Sequence, residues 1–338
     1  MKVAVIPRIG APDVFRIEDR PVPEPAQGEV LIRVRAAGVN FSDVLGRLGL
    51  YPDAPKLPYV PGYEVAGVIE RVAADVKGLA PGARVVAITR FNGYSEFVAV
   101  QASRVYAMPA SLSDAEAAAI PVVYLTAGIA LYTMTHVGAG DTVLIHNAGG
   151  GVGIAAAQLA ALRGARLIGT ASAAKHPALQ RFGFEHLIDY RTENVYKEVK
   201  RMTNGRGVDI VLDPLGGSSF AESYALLAPL GRMVMFGVST IAPGRTRSLA
   251  TIAKTLWSMP RFKPMSMMNR NRGVFGLNVG HLWDARDQLT PLMTMLMEDF
   301  ASGRLQPVIA KTFPLERVAD AHAYLQSRAN VGKVVLTI

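Results

Sequence analysis

Ala148, Gly150 and Gly153 stand at the spacing A-x-G-x-x-G, at the end of the run Val143-Leu-Ile-His-Asn-Ala-Gly-Gly-Gly-Val-Gly153. Thr142 to Asn147 read as a buried strand, and the Ala-rich stretch Ile154 to Leu162 reads as a helix. In such a turn Gly150 lets the backbone approach a pyrophosphate, and Gly153 lets the helix pack tightly on the strand. The unpaired N–H groups at the helix start, around Gly151 and Val152, then face the phosphates. Ala148 replaces the first glycine of the usual fingerprint. The second strand-like run, Ala165 to Thr170, completes the context that separates a dinucleotide site from an ordinary glycine turn.

The next residues choose the dinucleotide. An NAD site places Asp or Glu about 20 residues past the glycines to hold the ribose 2′-hydroxyl. No acidic residue lies between Gly153 and Glu185. Ser172 and Lys175 occupy that turn instead, a hydroxyl and a cation suited to a 2′-phosphate. Lys175 read alone would be an ordinary solvated lysine at a helix start. The missing acid and the cation together predict NADP(H).

Composition narrows the remaining chemistry. The chain has 338 residues, 50% of them hydrophobic, which fits two domains. It has no cysteine, so disulfides, thiolate nucleophiles and Cys-liganded zinc or iron–sulfur sites are excluded. The six histidines show no ligand spacing, so no metal is expected. Ala117 to Gly140 carries no Asp, Glu, Lys or Arg, and it reads as a buried helix rather than a membrane span. Met1 to Phe15 lacks a long apolar core and a small-residue cleavage site, so the expected compartment is the cytoplasm.

These residues need elements to position them. Up to about residue 120, short strand-like runs recur: Lys2 to Ile6, Glu29 to Ala37, Glu64 to Val72, Arg84 to Thr89 and Tyr94 to Val100. Pro- and Gly-rich turns separate them, which predicts a compact β-barrel. Beyond about Ala115, strand-like and helix-like segments alternate, which predicts a doubly wound parallel sheet and an α/β fold. Leu289 to Ile338 is expected to return to the first domain. The expected divisions are 1–122 for the first part of the barrel, 123–272 for the parallel-sheet domain, and 273–338 for the last strand of that sheet and the return to the barrel.

The motifs Ala37-Gly-Val-Asn-Phe-Ser-Asp43, Pro61-Gly-Tyr-Glu-Val-Ala-Gly67, Gly82-Ala-Arg-Val85, Thr126-Ala127 and Asn330-Val-Gly-Lys-Val-Val335 stand in a familiar order. By them the chain resembles the zinc-independent medium-chain dehydrogenase/reductase superfamily, in its quinone oxidoreductase branch. Gly169 to His176, Ile188 to Tyr190 and Asp213 to Gly217 resemble, within that branch, homologues of the synaptic vesicle membrane protein of the amine transport type. The resemblance implies a GroES-like barrel, formed by both ends of the chain, around an inserted Rossmann domain.

The resemblance also implies roles. Asn40 would lie at the nicotinamide and Thr126 would bond its carboxamide. Phe236-Gly237 and Phe275-Gly276 would flank the nicotinamide half, and Tyr190 would lie near the adenosine end. Leu215, Gly216 and Gly217 follow a strand end and are expected to approach the cofactor as backbone. Tyr51 is either a proton donor or an aromatic wall, and Asp43 orders a loop. Zinc-dependent relatives carry cysteine where Asn40 lies and His-Glu where Tyr63-Glu64 lies, so Glu64 reads as a structural carboxylate.

Hydride transfer needs no metal when the acceptor is already electron-poor. The expected activity is therefore NADPH-dependent reduction of quinones or α,β-unsaturated carbonyls, small-molecule electrophiles. Alternatives are an enoyl-thioester reductase, or a nucleotide-regulated protein that acts on membranes or RNA without catalysis; nucleic acid is the less expected partner. Met233-Val-Met-Phe236 or Val274-Phe-Gly-Leu277 should end the sheet as an apolar edge that needs covering, and the resemblance, whose members commonly pair these edges across a two-fold axis, implies a homodimer. From Ser223 to Trp283 there is no acidic residue, yet eight of the cations behind the net charge of +9 lie there. Leu249 to Met268 mixes cations with Leu256, Trp257, Met259, Phe262, Met265, Met267 and Met268. That mixture suits an acyl thioester on an anionic carrier or an anionic membrane surface; the alternative is a solvated basic loop.

Overall fold

The β-branched runs of the N-terminal part pair as antiparallel strands in the computed structural model, which describes residues 1–282 and 285–338. Trp283, the last residue of the acid-free stretch, lies outside the described residues. The long strand Glu29–Val39 is central: it pairs with Glu64–Val72, with Phe97–Gln101 and with the C-terminal strand Lys333–Thr337. Register shifts interrupt its ladder with Glu64–Val72 between Leu31 and Ile32 and between Val34 and Ala36. Such bulges bend a strand and raise its twist. Gly67 faces this bent region, where a Cβ would run into the Arg33 carbonyl. Val30, Ile32, Val34, Val65, Ile69, Val85, Ala87, Val98, Val334 and Leu336 form one buried core.

The later part builds six parallel strands. Across the sheet they run Phe184–Asp189, Arg166–Ala171, Thr142–Ile145, Val208–Asp213, Leu227–Met235 and Gly273–Gly276. Numbered within this sheet the order is 3-2-1-4-5-6, the doubly wound arrangement expected. Gly273–Gly276 is the edge strand, so the second of the two apolar runs ends the sheet. The strand Leu227–Met235 ends before Phe236 and Gly237, which lie just beyond it.

The chain separates into two compact units. One holds Met1–Leu125, Gly244–Arg247 and Gly280–Ile338; the other holds Thr126–Pro243 and Ser248–Val279. The expected boundaries fall after 122 and after 272, with the last strand of the parallel sheet and the return both in 273–338; the observed units part near residues 125 and 280, and Gly273–Gly276 belongs to the parallel sheet. The short excursion Gly244–Arg247 was not expected. Gln326 Nε2 donates to the Gly244 carbonyl at 2.8 Å, and the buried Arg47 guanidinium reaches the Arg245 carbonyl at 3.5 Å.

The charge-free stretch begins at Ala117, the last residue of the helix Asp114–Ala117, and runs through the helix Pro121–Gly128 into a π-helical turn, Ile129–Met134. By length and composition it could cross a membrane, but 78% of its apolar window is buried inside the protein.

Candidate functional site

In a parallel sheet all carboxyl ends lie on one side, and ligands bind there beside the point where strand order reverses. Thr142–Ile145 and Val208–Asp213 flank that point. The proposed cofactor residues cluster beyond these carboxyl ends. Ala148 to Gly153 follow Ile145, Ser172 and Lys175 follow Ala171, and Tyr190 follows Asp189. Leu215 and Gly216 follow Asp213, Phe236 and Gly237 follow Met235, and Phe275 and Gly276 close the last strand. Thr126 lies in the helix Pro121–Gly128 and is buried.

The glycine turn is built by steric limits. Asn147 adopts a left-handed φ of 53°. Gly150 donates from its N–H to the Asn147 carbonyl at 2.9 Å and caps the helix Gly151–Ala161. A Cβ at Gly153 would strike the Asn147 and Ala148 carbonyls, so this residue permits the close packing of helix on turn. The first N–H groups of a helix have no partner within it, and here they open onto this turn. Lys175 folds over the same turn: its Cδ and Nζ would lie 3.0 and 3.5 Å from a Cβ placed on Gly149. The turn that carries Ser172 and Lys175 is held from the neighbouring strand end. Amides of Arg191 and Ala173 bond the Asp189 carboxylate and keep it below the usual range. These parts fit a dinucleotide with a 2′-phosphate: a glycine cradle, free helix amides, and a cation where an NAD site has an acid.

At the turns that the resemblance assigns to the nicotinamide half, the backbone is also pinned. Gly216 and Gly217 take φ values of 82° and 63°, which L side chains rarely adopt. The Leu215 amide donates to Asp213 Oδ1 at 2.7 Å, and the Phe236 amide donates to the Asp213 carbonyl at 3.2 Å. A Cβ on Gly237 would lie 3.0 Å from the Pro214 carbonyl, so these two turns pack backbone to backbone.

The other unit holds a polar and aromatic cluster. Asn40 precedes the helix Phe41–Arg47, and its side-chain amide donates to Glu64 Oε1 at 2.8 Å. Lys333 Nζ donates to Asn40 Oδ1 at 2.5 Å and lies 2.5 Å from Glu64 Oε1. Glu64 Oε2 accepts the Val122 amide at 2.7 Å. Asp43 accepts from the Asn40 amide, the Gly62 amide and the Tyr94 hydroxyl, so it orders the loop as expected. Burial pushes the Asp43 carboxyl up to about 6. Tyr51 meets Tyr63 edge-on with ring centroids 6.0 Å apart, and Tyr63 leans on Phe91 at 5.0 Å. Burial pushes the Tyr51 phenol up, so it holds its proton at neutral pH.

This donor set does not fit zinc. The chain has no thiolate to offer. Asn40 and Glu64, at the positions of two ligands in zinc-dependent relatives, are both engaged by an ammonium group. Lys333 stands in the motif Asn330–Val335, but a lysine in a strand carries no signal of its partner, so the sequence does not mark it as a site residue. His146 and Asp213 go unmarked likewise: single polar residues at strand ends have no diagnostic spacing.

Comparisons with known proteins agree with this geometry. Residues 26–110 match the alcohol dehydrogenase GroES-like domain, and residues 182–336 match the family described as zinc-binding dehydrogenase. The synaptic vesicle membrane protein VAT-1 homolog of Rattus norvegicus is 38% identical over 99% of this chain and 84% of its own length. The Escherichia coli quinone oxidoreductase, solved in complex with NADPH, superposes with a TM-score of 0.88 at 29% identity, covering all of both chains. The CurK enoyl reductase superposes with a TM-score of 0.86 at 30% identity, over 99% of this chain and 98% of that one.

Proposed function

The chain belongs to the medium-chain dehydrogenase/reductase superfamily, in its quinone oxidoreductase branch, and from that premise we propose that it is an NADPH-dependent reductase of quinones or α,β-unsaturated carbonyls. The observation that carries the reading is Lys175 folded over the glycine turn, in a segment without an acid. Lys175 and Ser172 would hold the 2′-phosphate, and the amides from Gly150 to Gly153 the pyrophosphate. Thr126 and the turns at Leu215–Gly216, Phe236–Gly237 and Phe275–Gly276 would hold the nicotinamide half, with Tyr190 at the adenosine end. Bound NADPH supplies a hydride.

The chain's own residues orient and protonate. Glu64 and Lys333 fix both ends of the Asn40 amide, so its side chain presents one orientation. Tyr51 would keep its proton available for the enolate or hydroquinone anion left when an electron-poor acceptor has taken up a hydride. The likeness to an enoyl reductase supports thioesters of the same electrophile class as a second substrate group. The half-buried edge strand Gly273–Gly276 supports a homodimer paired across it, and a concentration-independent monomer mass in light scattering would reject that assembly.

Stopped-flow assays with NADPH, NADH and a panel of a small quinone, an enone and an enoyl thioester test the proposal. Preferential NADPH oxidation with at least one acceptor is expected. Tight NADPH binding with no turnover on any acceptor would replace it by a nucleotide-regulated binding protein.

A further inference from the structure

Four side chains of the parallel-sheet unit join into one buried line. Thr170 Oγ1 lies 3.2 Å from His146 Nδ1, and His146 Nε2 lies 3.1 Å from Ser223 Oγ. The Ser223 hydroxyl donates to Asp213 Oδ2 at 2.7 Å. All four residues are buried, Ser223 and Asp213 completely.

Elimination fixes the direction of every proton. Asp213 accepts from the Leu215 amide and from the Ser219 and Ser223 hydroxyls. Ser223 has one hydroxyl proton and gives it to Asp213, so its oxygen must accept from His146 Nε2–H. Burial holds His146 neutral, with a single ring proton. Its Nδ1 is then an acceptor, and the Thr170 hydroxyl donates to it. The line runs Thr170 to His146 to Ser223 to Asp213, each member giving one proton to the next.

The ends of this line are informative. Strand ladders align strands but do not fix the turns beyond their carboxyl ends. Thr170 stands two residues before Ser172, in the strand Arg166–Ala171. His146 is the first residue past Ile145 and opens the glycine turn. Asp213 closes its strand and, through the Leu215 amide and the Ser219 hydroxyl, shapes the Leu215–Gly217 turn. One line therefore ties together the three turns assigned above to the 2′-phosphate, the pyrophosphate and the nicotinamide half.

We propose that His146 and Ser223 are positioning residues that couple the adenosine end of the nucleotide site to its nicotinamide end. A dinucleotide gripped at the glycine turn then meets the Leu215–Gly217 turn already set. The inference rests on the NADP(H) reading above. Loss of the coupling should appear as roughly a tenfold loss of NADPH affinity, about 1.4 kcal/mol.

Two measurements test the proposal without turnover. Nitrogen-15 NMR of the wild type should show His146 as the Nε2–H tautomer, and Ser223→Ala should release it into a mixture. Calorimetry should show Ser223→Ala weakening NADPH about tenfold while adenosine 2′,5′-bisphosphate, which occupies only one end, weakens less than about twofold. General damage to the fold would weaken both ligands alike, and that outcome overturns the proposal. So does an Nδ1–H tautomer in the wild type, or unchanged NADPH affinity in a folded Ser223→Ala. Failure of the wild type to bind NADPH would overturn the cofactor reading and this inference together.

Discussion

Lys333 places its ammonium nitrogen 2.5 Å from Oε1 of Glu64, with side-chain exposures of 4% and 0%. The carboxylate lies on the strand Glu64–Val72 and the ammonium on the returning strand Lys333–Thr337, so one ion pair joins the first third of the chain to its last strand. Lys333→Met would leave Glu64 as a buried charge without its cation. Breaking such a pair typically costs about 3–5 kcal/mol, whereas replacing both partners by neutral groups is close to neutral. Urea unfolding of Lys333→Met should therefore show a large loss, and Lys333→Met combined with Glu64→Gln should recover most of it. If the double variant were less stable than the single one, the pair would not be acting as a charge pair.

Lys175→Ala should raise the KM for NADPH at least about tenfold and leave that for NADH nearly unchanged. A charge-assisted phosphate contact is worth about 1.5–3 kcal/mol. Steady-state kinetics with both cofactors decides it; equal wild-type use of NADH and NADPH would remove the premise.

Tyr51→Phe separates donor from wall. As the donor, its loss should lower kcat on an enone by about 10²-fold or more with NADPH affinity unchanged. With a quinone the effect should be small, because water can protonate the product. Near-normal enone turnover would leave Tyr51 as an aromatic wall against Tyr63.

His322 gives the fold a titratable weak point in acid. It is fully buried beside the Phe15 ring and the Arg47 guanidinium, and burial followed by the Arg47 charge holds its imidazole well below the ordinary value of 6.5. The unfolded chain therefore binds a proton below about pH 6.5 that the native chain does not. Stability from this group is fully present above that pH and falls as the pH drops, by up to about 1.4 kcal/mol per pH unit until the folded value is reached. His146, lowered chiefly by burial, acts in the same sense. Unfolding free energies between pH 7 and 5 should fall less steeply for His322→Asn than for the wild type. Parallel curves would exclude His322 as a source of the acid limb.

The basic segment forms two helices, Leu249–Trp257 and Pro264–Arg270, with Pro264 opening the second. Trp257 is 89% exposed and Leu249 75%, with Met265 and Met268 also on the surface. Exposed apolar groups among Arg261, Lys263, Arg270 and Arg272 fit an anionic amphiphile. Replacing those four cations together by Gln should weaken binding to anionic liposomes or to a long-chain acyl-CoA, most clearly at low salt. Equal binding by the variant, or none by the wild type, would make the segment plain surface.

The sequence alone determined what local spacing determines. The glycine turn, the alternation of strand and helix, and the missing acid before Glu185 are properties of short windows, governed by steric limits and by hydrophobic period. They were enough for the doubly wound sheet and for the placement of Ser172 and Lys175. Only the tertiary structure decided the partners. Glu64 looked like a carboxylate without company, because its cation is Lys333, which also bonds Asn40 across 293 positions of sequence. His146 and Asp213 looked like single polar residues at strand ends, because Ser223, which links them, comes from a helix later in the chain. Buried polar groups must be paired, but the rule names no partner. The partner is chosen by which strands the folded sheet sets side by side, and no short window of sequence contains that information.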